Sequence, residues 1–121
     1  MVLDRSQAER RGRRAETAAL LLLRLKGYRL LAWRWQSPMG EVDLIMRKGA
    51  TTAFIEVKQR LNHDAAAAAV SPRQARRIAA AAASWLGHDA RAAAGACRFD
   101  IVTVSPYLWP RHIANAFDGD R

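Results

Sequence analysis

Three of the eleven acidic residues, Glu41, Asp43 and Glu56, fall within sixteen positions, and Lys58 follows two residues after the last of them. Two carboxylates held close together repel, and one of them takes up a proton unless a cation neutralises the pair. A hard divalent cation does this directly. Oxygen donors of this kind suit Mg²⁺ or Mn²⁺, with waters completing an octahedron. If Glu56 and Lys58 lie on one strand, they share a face about 6.6 Å apart. The ammonium can then reach an attacking water or a phosphate without taking a ligand position, where it would orient the nucleophile or stabilise developing negative charge. The chemistry these residue types fit is phosphodiester hydrolysis, which needs a barrier reduction on the order of 20 kcal/mol. One lysine cannot supply that alone; a metal with charge clamping can. The competing reading is a surface ion pair, Glu56–Lys58 or Asp43–Lys58, which contributes ~0–1 kcal/mol.

The elements around these residues decide whether they can meet. Residues 41–47 alternate in polarity and read as a strand, as do residues 52–58, Phe54-Ile55-Glu56-Val57-Lys58 being rich in β-formers. Lys48-Gly49-Ala50 between them reads as a tight turn, so the two strands pair antiparallel. Strict alternation puts Glu41, Asp43 and Ile45 on one face of the first and Phe54, Glu56 and Lys58 on one face of the second. With a favourable register Asp43, Glu56 and Lys58 then converge. A preceding strand over residues 28–36 joins through Ser37-Pro38-Met39-Gly40, and alternation puts Trp33 and Trp35 on one face, as packing residues.

Residues 6–26 read as a helix with a Ser6/Glu9 capping box and Gly27 as its stop; its second half, apolar from Ala18 to Leu25, is expected to be largely buried. Ser71-Pro72 opens a second helix that ends at Gly87. Residues 61–70 read as a mobile connection, 98–105 as a fourth strand and 112–117 as a short last one. The order, helix, three strands, helix, strand, fits an α/β fold with a mixed sheet whose third and fourth strands run parallel across the crossover helix.

Bulk properties narrow the function classes. At 121 residues the chain suits one domain, here spanning residues 1–121. One cysteine, Cys97, provides neither an internal disulfide nor a zinc-thiolate site, which fits a reducing, cytoplasmic setting. The N-terminus has no secretory pattern, and the longest apolar run, residues 18–23, is far too short for a membrane span. The net charge of +9 favours a polyanionic partner, nucleic acid ahead of a membrane surface. Arg10, Arg11, Arg13 and Arg14 at the start of the first helix, Arg73, Arg76 and Arg77 at the start of the second, and Arg60 just past Lys58 are the candidate phosphate contacts. His63, His88 and His112 lack ligand spacing and read mostly as surface residues, with His63, near the site in sequence, the one mild candidate; Cys97 reads as inert.

The stretch Gly40-Glu41-Val42-Asp43-Leu44-Ile45, followed by Phe54-Ile55-Glu56-Val57-Lys58-Gln59-Arg60, resembles the signature of the YraN family of small bacterial proteins. These in turn resemble the PD-(D/E)xK nuclease superfamily, archaeal Holliday junction resolvases in particular. The similarity extends to Gly12 and Glu16, to the Ser71 helix, to Arg98-Phe99-Asp100 and to Asn115-Ala116-Phe117. Ala15 stands where the family shows a second glycine, and Arg73 or Gln74 where it shows a lysine. The resemblance implies a restriction-endonuclease-like sheet with an αβββαβ core. It implies Asp43, Glu56 and the Val57 carbonyl as ligands of Mg²⁺ or Mn²⁺, Lys58 as the catalytic lysine and Glu16 as an auxiliary acid. The implied activity is hydrolysis of DNA, branched or damaged, and a four-way junction with its two symmetric cuts would suit a homodimer. A non-catalytic nucleic-acid- or partner-binding module on the same fold is the alternative, since fold does not fix function.

Overall fold

The computed structural model describes residues 5–63 and 69–118, with side chains from Gly12 onward. The elements run α1 (Arg5–Leu25), β1 (Arg29–Ser37), β2 (Gly40–Lys48), β3 (Thr51–Gln59), α2 (Pro72–Leu86), α3 (Ala90–Ala94), β4 (Ala96–Val104) and β5 (Arg111–Ile113). The five strands form one sheet in the order β1-β2-β3-β4-β5. All neighbours are antiparallel except β3 and β4, which are parallel and joined across α2, as the long crossover predicts. This is the mixed sheet with flanking helices expected of a restriction-endonuclease-like fold. The last strand is shorter than expected, and α3 was not anticipated; its five residues are capped by Asp89, whose Oδ1 accepts from the Ala92 amide at 3.0 Å. The expectation of a mobile connection over residues 61–70 falls largely on residues 64–68, which lie outside the described residues, as do the side chains of the proposed Ser6/Glu9 cap.

Each face of the sheet carries its own core. On one side Ala19, Leu20 and Leu23 of α1 pack on Leu44, Met46, Ala53, Ile55 and Val102. On the other, Ala75, Ile78, Ala81 and Ala82 of α2 pack on Val42, Ile45, Phe54 and Ile101. The apolar half of α1 is therefore buried along one stripe only: Leu21 and Leu25 remain 56% and 85% exposed, where that half was expected to be largely buried. Gly27, at φ 95, ends α1 as predicted, with the Tyr28 amide donating to the Leu23 carbonyl at 2.9 Å. Ser71 and Gln74 form a reciprocal capping box at the start of α2. Gly40 is required for a packing reason: a Cβ there would stand 2.1 Å from the Arg77 carbonyl oxygen, so α2 rests directly on the β1–β2 turn.

The far end of α1 is fixed by a buried polar network centred on Asp100, whose side chain is fully enclosed. Its carboxylate accepts from Arg98 Nε at 2.8 Å and Nη2 at 2.7 Å, from His112 Nε2 at 2.8 Å and from the Asn115 amide at 2.9 Å. Arg98 also donates to the Tyr28 hydroxyl at 2.6 Å. Lys26 Nζ donates to His112 Nδ1, which leaves the proton on Nε2 for Asp100. His112, expected at the surface, is buried for this reason, its side chain only 3% exposed.

These donors outweigh the desolvation of Asp100 and hold its carboxyl at about 2, below the ordinary 3.8. A group depressed in this way stabilises the fold fully above pH 3.8 and loses that contribution as the pH falls toward about 2. Asp100→Ala should lower unfolding free energy by about 3–5 kcal/mol at neutral pH. Urea titrations from neutral to acid pH should show this loss, together with a flatter acid limb than the wild type.

Candidate active site

The site is built where β2 parts from β3. The two strands pair from Lys48↔Thr51 back to Leu44↔Ile55, and the described pairing goes no further. The β1–β2 hairpin twists sharply at this level. Trp33 lies on the α1 side and Trp35 on the α2 side, where it meets Trp85 edge-to-face at a ring distance of 5.2 Å. The residue between them, Arg34, has φ 55, a conformation few side chains other than glycine adopt. Opposite, Leu44 belongs to the α1 core and Val42 to the α2 core together with Ile45. The expected single faces, Trp33 with Trp35 and Val42 with Leu44 and Met46, are thus both overturned. The alternation rule fails because the hairpin is kinked at Arg34 and Asp43.

The kink aims Asp43 into the gap. Asp43 Oδ2 accepts the Val57 amide at 2.8 Å, so a side chain takes the place of the missing ladder bond. In a strand the N–H and C=O of one residue leave by the same edge. The Val57 carbonyl therefore faces the same gap as Asp43. The Asp43 and Glu56 carboxyl groups lie close enough for each to alter the other's ionisation. Lys58 Nζ stands 3.6 Å from Glu56 Oε1, with side-chain exposures of 14% and 16%. The sequence-derived trio is thereby brought together.

Electrostatics follow from this crowding. Burial, and then the neighbouring Asp43 charge, push the Glu56 carboxyl up to about 8 despite the opposing pull of Lys58. Burial also raises Asp43, against the Val57 amide and the Glu56 hydrogen bond that favour its ionised form.

Glu16 reaches the same cleft from α1. A cavity of about 170 Å³ is lined by Glu16, Arg34, Gln36, Glu41, Val42 and Asp43. The Glu16 carboxylate is engaged: Oε2 accepts from Trp33 Nε1 at 2.7 Å and from Arg34 Nε at 2.8 Å, and Oε1 from the same Nε at 3.0 Å. Among the described residues no three His, Cys, Asp or Glu side chains gather at a common point. Glu41 is exposed and accepts from Gln36 at 3.3 Å.

The basic residues divide. Arg14 and Arg60 line one groove beside the site. Arg73, Arg76 and Arg77 are exposed along the start of α2, Arg77 lying over Gly40 at the tip of the hairpin. Arg13 is exposed on α1, and the side chains of Arg10 and Arg11 lie outside the described residues. The bonds of Arg34 and Trp33 to Glu16 were not foreseen from the sequence. Flanking tryptophans signalled packing, and a positive φ at a non-glycine residue leaves no mark in composition. His63, read as a surface residue, is half-buried and bonds Thr103 Oγ1 at 2.6 Å and the Trp109 carbonyl at 2.8 Å.

A family model described as "Uncharacterised protein family UPF0102" matches residues 15–104, from the middle of α1 to the end of β4. A UPF0102 protein of Parvibaculum lavamentivorans is 53% identical over 110 residues, covering 91% of this chain and 83% of that protein. One from Methylorubrum extorquens is 51% identical over 108 residues, covering 89% and 84%. One from Rhodopseudomonas palustris is 46% identical over 117 residues, covering 97% and 90%. The matched span holds Glu16, Asp43, Glu56 and Lys58 together with the gap that positions them, and the chain belongs to the UPF0102 family.

Proposed function

We propose that this chain is a Mg²⁺- or Mn²⁺-dependent endonuclease of the PD-(D/E)xK kind, hydrolysing phosphodiester bonds in branched or damaged DNA. The observation that carries the reading is the contact between the Asp43 and Glu56 carboxyls at the mouth of the β2–β3 gap, with Lys58 beside them. Left to themselves, two half-buried acids destabilise a fold; a cation between them removes the repulsion. The donors at hand are all oxygen, from Asp43, Glu56 and the Val57 carbonyl, and suit a hard ion that keeps several waters. When bound, such an ion supplies Lewis-acid stabilisation of the phosphate and lowers the pKa of the attacking water. Lys58, relieved of Glu56, then donates to the phosphate as its charge grows. Glu16 holds Arg34 through its Nε and keeps a second cation at the edge of the cleft. The net charge of +9 and the arginines at both helix starts would draw the DNA backbone in. No helix among the described residues is long and apolar enough to cross a membrane.

The alternative, a binding module that retains the fold without cleaving, draws support from the engagement of Glu16 by Trp33 and Arg34. Calorimetry separates the two: the nuclease reading requires divalent-ion binding that Asp43→Asn abolishes.

Asp43→Asn should reduce Mg²⁺-dependent cleavage at least about a hundredfold while DNA affinity persists, and Lys58→Ala should lose rate but keep metal binding. The assay is a panel of linear, nicked, forked and four-way DNA with Mg²⁺ or Mn²⁺; no cleavage of any substrate would refute the activity. A second outcome concerns the metal-free fold. Because the folded Glu56 carboxyl is raised from 4.5 to about 8, its folded state binds the proton more tightly than the unfolded chain. Its contribution is therefore complete below pH 4.5 and is lost as the pH rises to about 8. In EDTA the wild type should melt at lower temperature at pH 8 than at pH 5, and Asp43→Asn should flatten that slope and stabilise the alkaline side.

A further inference from the structure

We infer that a groove beside the acid pair, between the exit of β3 and the β4–β5 connection, holds an unpaired stretch of DNA adjoining the scissile phosphate. This rests on the nuclease reading above and specifies its substrate class. The groove has a volume of about 590 Å³, with Arg14 and Arg60 on its walls and Leu61, Pro106 and Tyr107 supplying apolar surface. No acidic side chain lines it among the described residues. The Tyr107 side chain is 78% exposed and Leu61 73%, so flat apolar surface stands open between two cations. That combination matches an unpaired nucleotide: a base stacks on the ring and the adjoining phosphates meet the guanidiniums. A pocket of this volume suits a ligand of small-molecule size, such as one or about two nucleotides, and not a duplex.

The groove is built before anything binds. The Arg60 amide donates to the Val104 carbonyl at 3.0 Å. Ser105 Oγ donates to the Leu61 carbonyl at 3.0 Å and accepts the Tyr107 amide at 3.1 Å. His63 ties both Thr103 and the Trp109 carbonyl to the opposite wall, at 2.6 and 2.8 Å. Walls cross-linked in this way lose little further entropy on binding. Arg60 spends one N–H on the Gln59 carbonyl, at 2.7 Å, out of the five donors of a guanidinium.

Position completes the argument. Arg60 lies two residues beyond Lys58, about 6.6 Å along the chain. On the other wall, Ala15 of the groove adjoins Glu16 of the acid cleft. A strand bound in the groove would run between the end of β3 and α1, the two elements that also carry Lys58 and Glu16.

The test is fluorescence anisotropy in EDTA with a labelled oligothymidylate of about twelve nucleotides and a blunt hairpin duplex of similar charge. The wild type should bind the single strand. Tyr107→Ala should weaken that binding at least about fivefold, Tyr107→Phe should restore it, and duplex binding should stay unchanged. Thermal melts of both variants confirm folding, which so exposed a side chain does not govern. Wild-type affinity for the single strand in Tyr107→Ala, or an equal loss for strand and duplex, would overturn the inference. Because no metal is present, failure of the protein to cleave DNA leaves this outcome intact, and failure here leaves the Asp43 assay intact.

Discussion

The contact between two carboxyl groups is the constraint around which the structure is organised. Asp43 and Glu56 approach because β2 leaves β3 after Leu44↔Ile55 and the Val57 amide captures the Asp43 side chain in the space left. Two unit charges 4 Å apart repel by about 4 kcal/mol at an effective dielectric of 20, comparable with a large part of a small domain's net stability. Lys58 offsets part of this, and the Glu56 carboxyl, pushed up to about 8 by burial and the Asp43 charge, keeps its proton over a wider pH range. The hydrophobic cores on both faces of the sheet hold the strands while this occurs, so the strain is local to the gap.

The rest of the fold keeps the gap in place. α1 crosses the face of the sheet with two polar anchors. At its middle Glu16 fixes Trp33 and Arg34, and therefore the kink that aims Asp43. Beyond its far end Lys26 and Tyr28 join the Asp100 network, which reaches β5 through His112. On the opposite face α2 packs so closely on Gly40 that the hairpin tip cannot accept even a methyl group without movement. Geometry of this precision depends on support from packing and hydrogen bonds around it.

Element order, the parallel β3–β4 pair, the α2 cap and the convergence of Asp43, Glu56 and Lys58 were legible in the sequence, because each rests on a local signal: Ser71-Pro72, the Lys48-Gly49 turn, the strand-forming run around Glu56. The faces of β1 and β2 were not. Alternation holds only for a regular strand, and the positive φ at Arg34 exchanges the sides of Trp33 and Trp35 without any glycine to announce it. Nor were the long-range polar partnerships. His112 reads as a surface histidine until β5 brings it to Asp100, and His63 until the 105–110 connection returns to meet it. Such contacts depend on which distant segments the topology makes neighbours, and that information is spread over the chain.

The character of the groove also bears on how a DNA target would be chosen. Direct reading of sequence needs donors and acceptors matched to base edges, carried on an element that enters the major groove. The groove at the exit of β3 offers a ring, a proline, a leucine and two arginines. Stacking and phosphate pairing of this kind tolerate any base, because every base has a π-face and every nucleotide a phosphate. On the proposed reading, selectivity would come from whether strands are unpaired where they pass Tyr107, and duplex DNA would have to yield unstacking energy to enter. A junction, flap or lesion has that energy already spent, and on this reading the acids would be presented with a phosphate chosen by local DNA structure.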